Sequence, residues 1–165
     1  QNVRKFGNKL IIKPSKKSVK AFLGEIRNTI RANKQMTQME LIRILNPKVT
    51  GWANYHRAVS SAYTFKTVSH QIWQALWRWC KRRHPKKSLK WIKSKYFHFI
   101  QGQDWRFAAK ATNTEGQEGV IRLYMPRDIK IKRHCKIRAN SNPFSADWIE
   151  YFKQRLESNH TWIKT

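Results

Sequence analysis

Apolar positions at the start of the chain predict a hairpin followed by an amphipathic helix. Residues 2–13 contain two strand-like runs around Gly7-Asn8, a pair typical of two-residue turns. Ser15 is a suitable N-cap for the helix that follows. The inward face of that helix is predicted from helical spacing to consist of Val19, Phe22, Leu23, Ile26 and Ile30.

The next segment carries the clearest helix start in the chain. Thr37 and Glu40 form a capping-box pattern, in which each side chain bonds the other residue's backbone N–H. We predict that this second helix ends near Leu45, because the residue before a proline disfavours helical backbone. Asn46-Pro47 would then begin a third helix.

The longest helix is predicted between Tyr63 and Arg83. Steps of 100° place Phe65, Val68, Ile72, Leu76 and Trp79 on one face, with Trp73, Trp77 and Cys80 on its flank. His84-Pro85 ends this helix, and Ser88 caps a fifth helix that turns Leu89, Ile92 and Tyr96 inward.

Beyond Phe97 the pattern changes to short alternating runs. Residues 105–107, 120–124 and 129–131 are typical of strands, 125–128 of a turn, and 142–156 of a capped helix that carries Trp148, Ile149, Phe152 and Leu156. The fold predicted is mainly α: about five helices, followed by a small α+β region with short β-hairpins and a C-terminal helix.

Charge predicts an anionic partner: the formal net charge is +26 and the sequence pI is about 10.8. From Leu41 to Gln103 there is no Asp or Glu, while thirteen Lys and Arg lie in that span. Such a surface favours a polyphosphate partner, and the eight tryptophans offer either a core or stacking platforms for bases. Composition alone leaves an anionic membrane surface open.

Other sequence features set the context. No run approaches the ~18 apolar residues of a spanning helix, so no membrane partner is expected. Cys80 and Cys135 are far apart, which predicts free thiols in a reducing compartment. Because the sequence begins with Gln and shows no signal peptide, we expect a fragment of a longer protein.

The motif GWANYHR at 51–57, with LNP before it and IWQALWRWCKRRHP after it, closely resembles group II intron-encoded reverse transcriptase–maturases. The resemblance covers nearly the whole chain. It implies that residues 1–12 are the trailing hairpin of the reverse-transcriptase palm and that 13–97 are the thumb and maturase domain X. Residues 98–165 would be the DNA-binding region.

Several functional expectations follow from this resemblance. The partners would be group II intron RNA, target DNA and the rest of the reverse-transcriptase chain, in splicing and retrohoming. The Tyr-x-Asp-Asp polymerase motif and the cysteine-bearing HNH motif are absent from the sequence, so no active site is expected here. We expect no cofactor in this fragment, Mg²⁺ for the parent polymerase and the intron RNA, and a location in the bacterial cytoplasm or an organelle.

Two sets of residues are candidates for nucleic-acid contact. The predicted RNA ligands are Lys16, Lys17, Lys20, Arg57, Gln71, Gln74, Arg78, Lys81, Arg82, Arg83, His84, Lys86, Lys87 and Lys90. The predicted DNA ligands, by resemblance, are Arg127, Lys130, Lys132, Arg133, Lys136 and Arg138. Each set has an ordinary alternative: a solvated helix face for the lysines of the first predicted helix, and a charged edge strand for the second set.

Catalysis is the weaker interpretation. The nine acidic residues are scattered, whereas Mg²⁺ chemistry needs clustered carboxylates, so no metal site is predicted. His56 and His84 could serve a ribonuclease, but packing and helix termination explain them equally well. Cys80 and His84 could share a metal with His134 and Cys135, although the spacing matches no common zinc pattern.

The aromatic residues divide into two groups. Trp52, Tyr55 and Trp79 are predicted core residues, whereas Trp73 and Trp77 are open to either packing or stacking. The rival functions are a general DNA-binding protein, which requires only charge, and a structural RNA-binder of ribosomal type.

Overall fold

The computed structural model describes residues 1–112, 118–132, 137–138 and 140–161. The chain forms two compact units, Gln1–Arg133 and His134–Thr165. The predicted Arg133, His134, Cys135 and Lys136 lie outside the described residues, as does most of the predicted loop at 113–119.

The first unit begins with the predicted hairpin. Strands β1 (Asn2–Phe6) and β2 (Lys9–Lys13) pair antiparallel, with Val3 opposite Ile12. Gly7 lies between them at φ 54°, a left-handed conformation that glycine adopts without steric penalty. The backbone N–H of Ser60 donates to the Ile12 carbonyl (2.9 Å), which fastens the hairpin to a later loop of the unit.

The first two helices begin where their caps predict. Helix α1 (Lys16–Ala32) starts after Ser15, whose hydroxyl accepts from the Ser18 N–H at 3.1 Å. Helix α2 (Gln38–His56) starts after Thr37, with both bonds of the capping box present. The Thr37 N–H donates to Glu40 at 2.9 Å and the Glu40 N–H donates to the Thr37 hydroxyl at 3.3 Å. The Thr37 bonds hold the pKa of Glu40 below its usual range.

The predicted break at Asn46-Pro47 is wrong, because α2 continues through Pro47. Proline removes one helical bond, at a cost of roughly 3 kcal/mol in a helix interior. Leu45 and Val49, on either side of it, are both fully buried in the same core, and this shared burial favours one continuous face. Asn46 does not cap a helix: its amide donates to the Arg122 carbonyl (3.0 Å) and accepts from the Tyr124 N–H (2.9 Å).

Helix α3 (Ala62–Arg83) and helix α4 (Leu89–Tyr96) match the prediction closely. All five residues of the predicted apolar face of α3 are buried, and so is Cys80. In α4, Ile92 and Tyr96 are buried. Leu89 was predicted to face inward and is 59% exposed, since the first turn of this short helix extends past the edge of the core.

An antiparallel sheet of order β3-β4-β5 follows: β3 (Phe97–Ile100), β4 (Gln103–Thr112) and β5 (Glu118–Arg122). The sequence pattern predicts β4 and β5 in part but not β3, which begins directly at the end of α4. Between the His98–Arg106 and Ile100–Gln103 pairs the register shifts. Two residues of β4 thus oppose Phe99 alone, which is a β-bulge.

The bulge holds Trp105 at φ 61°, in the left-handed region. A bulky residue in that region is an outlier, and such strain is of order 1–3 kcal/mol. The Asp104 carboxylate accepts from the Trp105 N–H at 2.8 Å, which supports the conformation locally.

The helices and the sheet share one core. Phe107 and Leu123 of the sheet region lie in the same buried cluster as Ile26, Leu45 and Leu76 of the helices. The β region is therefore part of the first compact unit. The functional division near residue 98 stays a prediction, since shared packing does not determine which ligand each part binds.

Residues 125–128 form a turn as predicted, whereas residues 129–132 do not form the predicted strand. Pro126–Asp128 is a single 3₁₀ turn, and no strand is assigned to 129–132. Asp128 holds the turn because its carboxylate accepts from the Met125 N–H (3.0 Å) and pairs with Arg106 (2.6 and 2.8 Å). The Lys132 N–H donates to the Arg57 carbonyl (3.0 Å) rather than to a neighbouring strand.

The second unit contains a 3₁₀ turn, Ala146–Trp148, and helix α5 (Ile149–Thr161), which agrees with the predicted C-terminal helix. Trp148 and Phe152 are half-buried and flank Tyr151, with ring centroids 5.6 and 5.1 Å from it. The Tyr151 hydroxyl accepts from the Arg138 N–H at 3.1 Å.

Candidate nucleic-acid interface

Four arginines from α1 and α3 line a shallow groove. Arg78 and Arg82 were predicted to bind RNA, and the structure adds Arg27 and Arg31 from α1 beside them. The cavity itself is small, about 40 Å³, with Ile30 and Ala75 as its apolar lining. No carboxylate of the described residues lines it, so the groove favours an anionic group such as a phosphate.

Local hydrogen bonds orient the arginines of this groove. The Arg27 guanidinium donates to the Gln71 side chain at 2.7 Å. On α3, Arg78 and Arg82 each donate through Nε to the carbonyl one turn back, at 3.2 and 3.4 Å. Both side chains are exposed. Gln71 thus supports an arginine, and its predicted reach toward RNA bases stays a prediction.

Arg83 is placed differently from Arg82. Its guanidinium donates to the carbonyl of Lys34 (3.2 Å) and to that of Met36, and lies 4.6 Å from the centre of the Trp79 ring. The Trp79 N–H donates to the Asn33 carbonyl at 3.1 Å. The end of α3 therefore bonds three backbone carbonyls of the loop between α1 and α2. This is a structural role in addition to any contact with RNA.

A second basic cluster surrounds Trp91 on α4. Lys87 and Lys95 place their ammonium groups 5.5 and 4.9 Å from the ring centre, and His84 meets the ring at 4.9 Å. The His84 Nε2 is 2.7 Å from the Tyr96 hydroxyl. Burial first, and then Lys95, Arg83 and Lys87, lower the pKa of His84. Lys95 and Trp91 were not among the predicted ligands.

The other predicted RNA ligands lie mostly at exposed positions. Gln74 is within 3.0 Å of His70, and Arg57 is half-buried at the end of α2. The structure does not bring all of them into one groove. The lysines of this predicted set are all exposed: Lys16, Lys17, Lys20, Lys81, Lys86, Lys87 and Lys90.

His56 lies in the core, only 1% exposed. Its Nε2 is 3.3 Å from the Ser18 hydroxyl, and its ring meets Trp52 edge-on at 4.7 Å. Burial lowers its pKa, so the neutral form is favoured. An RNA backbone does not reach this position, and the packing interpretation of His56 is confirmed.

The aromatic residues are distributed unevenly. Trp79 is buried and Trp52 stacks on Phe22 at 4.5 Å, as predicted for core residues. Tyr55 was predicted to be core and is 67% exposed, because it falls on the solvent face of α2. Trp73 and Trp77 are half-buried and nearly parallel, 5.9 Å apart.

The described residues contain no group of three or more His, Cys, Asp or Glu that could hold a metal ion. Cys80 is buried, and burial raises the pKa of its thiol to about 12, whereas a metal ligand must be a thiolate. His134 and Cys135, its other proposed partners, lie outside the described residues. Among the described residues, no helix is long and apolar enough to cross a bilayer.

The predicted DNA ligands are divided between the two units. Arg127, Lys130 and Lys132 are exposed residues of the first unit. Arg138, in the second unit, stacks its guanidinium over Tyr151 at 5.1 Å. DNA binding by this set stays a prediction.

These features define a basic α-helical domain with an attached antiparallel sheet and cation-lined grooves, the pattern of a nucleic-acid-binding protein. Residues 19–97 match the family model described as "Group II intron, maturase-specific domain". Over that stretch the match confirms the resemblance drawn from the sequence.

Two relatives are similar over 103 residues. Both are named "Ribosomal operon-associated A protein": that of Euglena gracilis is 25% identical and that of Euglena longa 31% identical. The match covers 62% of this chain and 20% of each relative, so the chain spans about a fifth of their length.

Two arginines of the groove, Arg27 and Arg31, were not among the predicted ligands. Arg27 and Arg31 are four apart on α1, a spacing that puts both on one face, and this signal was available. The partner of that face, α3, is distant in sequence, so the shared groove could not be derived from either helix alone.

Proposed function

We propose that this chain binds folded group II intron RNA and promotes splicing by stabilising the active conformation of the RNA. The observation that carries the proposal is the match of residues 19–97 to the maturase-specific domain, a stretch that contains the four-arginine groove. Crowded phosphates in a folded RNA repel one another, and a groove lined by cations relieves this repulsion.

The mechanism is a shift in population. A protein that binds the active fold of the RNA more tightly than other folds increases the fraction of active molecules. The exposed lysines of α1 and α4 would contact the RNA backbone, and the RNA would supply the catalysis. Any Mg²⁺ would be held by the RNA or by the parent polymerase, since the described acidic residues form no cluster.

The finer parts of the proposal concern the parent protein. In reverse transcription, α1 and α2 would act as a thumb beside the template–primer duplex, in contact with the rest of the reverse-transcriptase chain. In retrohoming, Arg127, Lys130, Lys132 and Arg138 would contact target DNA. The protein would act in a bacterial cytoplasm or an organelle, where group II introns are spliced.

The test is equilibrium binding to a folded group II intron RNA over a salt series, with unrelated structured RNA and duplex DNA as competitors. We expect a preference for the intron that persists above about 150 mM salt, where non-specific attraction has weakened. Splicing of the same RNA at limiting Mg²⁺, with and without the protein, measures the functional consequence.

Equal loss of affinity for all three nucleic acids with rising salt would contradict the proposal. That result would favour the alternative function, a sequence-independent nucleic-acid-binding protein, which the net charge of +26 is sufficient to explain.

A further inference from the structure

A cavity of about 510 Å³ opens between α3 and the sheet, away from the arginine groove. Its wall includes Trp73 from α3 and Trp105 from the bulge in β4. This volume falls within the range of roughly 300–1,000 Å³ found for small-ligand sites. Arg127, one of the predicted DNA ligands, also lines the cavity, but none of the functions proposed above accounts for its two indoles.

The aromatic wall is ordered in a way that suits a flat ligand. His70, Trp73 and Trp77 stand in a column along α3, with successive rings within 16° and 9° of parallel. Trp105 meets Trp73 nearly perpendicular, 5.6 Å away. Trp73 lies between His70 and Trp77 in this column, so a planar base in the cavity meets the edge of the Trp73 ring, in the perpendicular arrangement that aromatic rings favour.

Trp105 is held in this wall by an unusual backbone. The bulge and the left-handed φ of 61° re-aim a residue that would otherwise follow the strand's alternation. Such outliers are concentrated at ligand sites, where the surrounding structure maintains them. The Lys93 ammonium lies over the Trp105 ring, 4.8 Å from its centre, and this contact also holds the indole.

The charges around the cavity leave a net positive field. Asp104, a carboxylate in the lining, is bonded to Lys93 at 2.7 Å, and this bond holds its pKa below the usual range. Arg106 in the wall is paired with Asp128. Lys66 and Arg127 also line the cavity, and among the described residues neither forms an ion pair.

We propose that this cavity binds a single unpaired nucleotide of the RNA, with its base against Trp73 and Trp105 and its phosphate held by Lys66 and Arg127. The inference rests on the proposed RNA-binding function. Unpaired bases are the elements of folded RNA that can leave the stack and insert between aromatic side chains. A fully paired duplex has no base to insert.

The test compares two RNA hairpins of equal length, one fully paired and one with a single bulged 2-aminopurine. We expect the bulged hairpin to bind about tenfold tighter, within the range that stacking of one base provides. Its fluorescence should fall on binding, because stacking quenches 2-aminopurine. In a parallel arm, 5-iodouracil at the bulge should crosslink to a peptide containing Trp73 or Trp105.

The variant is Lys66→Gln with Arg127→Gln, which keeps the aromatic wall and the backbone bond from the Arg127 N–H to Ser69 (3.1 Å). The matched control is Lys34→Gln with Lys110→Gln, which removes the same charge at exposed positions outside the cavity lining. We expect the first variant to lose most of the tenfold preference and the control to retain it.

Several results would overturn the inference. These are an absent preference for the bulge, an equal loss in variant and control, a crosslink that maps elsewhere, or free adenosine monophosphate binding as tightly as the bulged RNA. Intron binding is measured in parallel. If the wild type still prefers the intron over its competitors, only this inference fails; if that preference is also absent, the proposed function fails with it.

Discussion

Arg82 and Arg83 are neighbours in the sequence, yet their guanidinium groups have different surroundings. Arg83 is half-buried, bonds the carbonyls of Lys34 and Met36, and stacks on Trp79. Arg82 is exposed and lines the groove between α1 and α3. We therefore expect Arg83→Ala to reduce stability and Arg82→Ala to reduce RNA binding.

The structure allows both effects to be estimated. A hydrogen bond from a charged group contributes about 1.5–3 kcal/mol and a cation–π contact about 0.5–1 kcal/mol. Because Arg83 is only half-buried and its contacts are not additive, we take about 2–3 kcal/mol for Arg83→Ala. In a chain of this size that lowers the melting temperature by roughly 5–10 °C. Arg82→Ala should change stability by less than about 0.5 kcal/mol.

Thermal unfolding by circular dichroism measures the first effect. The effect of Arg82→Ala is measured by the slope of the logarithm of the binding constant for intron RNA against the logarithm of the salt concentration. The magnitude of this slope should decrease by about 0.7–0.9 if Arg82 neutralises one phosphate. Arg83→Lys is the matched control: it keeps the charge but not the planar fork, so only part of the stability should return. The reasoning is refuted if Arg83→Ala melts like the wild type while losing salt slope.

Three further predictions concern buried groups. Asp128→Asn leaves the charge of Arg106 buried without its counterion and should lower the free energy of unfolding in urea by about 3–5 kcal/mol. A double variant that also removes the charge of Arg106 should regain most of this stability, and no regain would contradict the prediction. In a Cys135→Ser background, Cys80 should react with a thiol reagent at pH 8 at least about a hundredfold faster after unfolding, because burial raises its pKa to about 12; comparable rates would contradict this. Burial lowers the pKa of His56, so the unfolded chain binds protons more readily and the melting temperature should fall from pH 7 to about pH 5. A His56→Gln variant should show a smaller fall, and an equal one would remove His56 as the cause.

Local signals in the sequence were sufficient to predict those features that depend on residues close together along the chain. The capping box at Thr37 and the apolar face of α3 depend on residues three or four positions apart, and both predictions were confirmed. The break at Pro47 was predicted from an equally local rule and was wrong. There the packing of Leu45 and Val49 in one core outweighs a preference that extends over a single residue.

The parts that could not be predicted depend on contacts between distant segments. Arg83 binds carbonyls more than forty positions earlier in the chain, and nothing near it distinguishes it from Arg82. The cavity beside Trp105 depends on a bulge whose register is set by pairing with β3. The individual cations were visible in the sequence, whereas their arrangement into a groove and a cavity required the fold.

The Asn46-Pro47 step has a consequence for the chemical ageing of the protein. Asparagine deamidates when the backbone nitrogen of the next residue attacks the side-chain carbonyl and forms a cyclic imide. Proline has no hydrogen on that nitrogen to lose, so this route is closed at Asn46. Conversion to aspartate would replace the donor to the Arg122 carbonyl with a negative charge. The same proline that removes a helical bond thus preserves, over the lifetime of the molecule, the amide that joins α2 to the sheet.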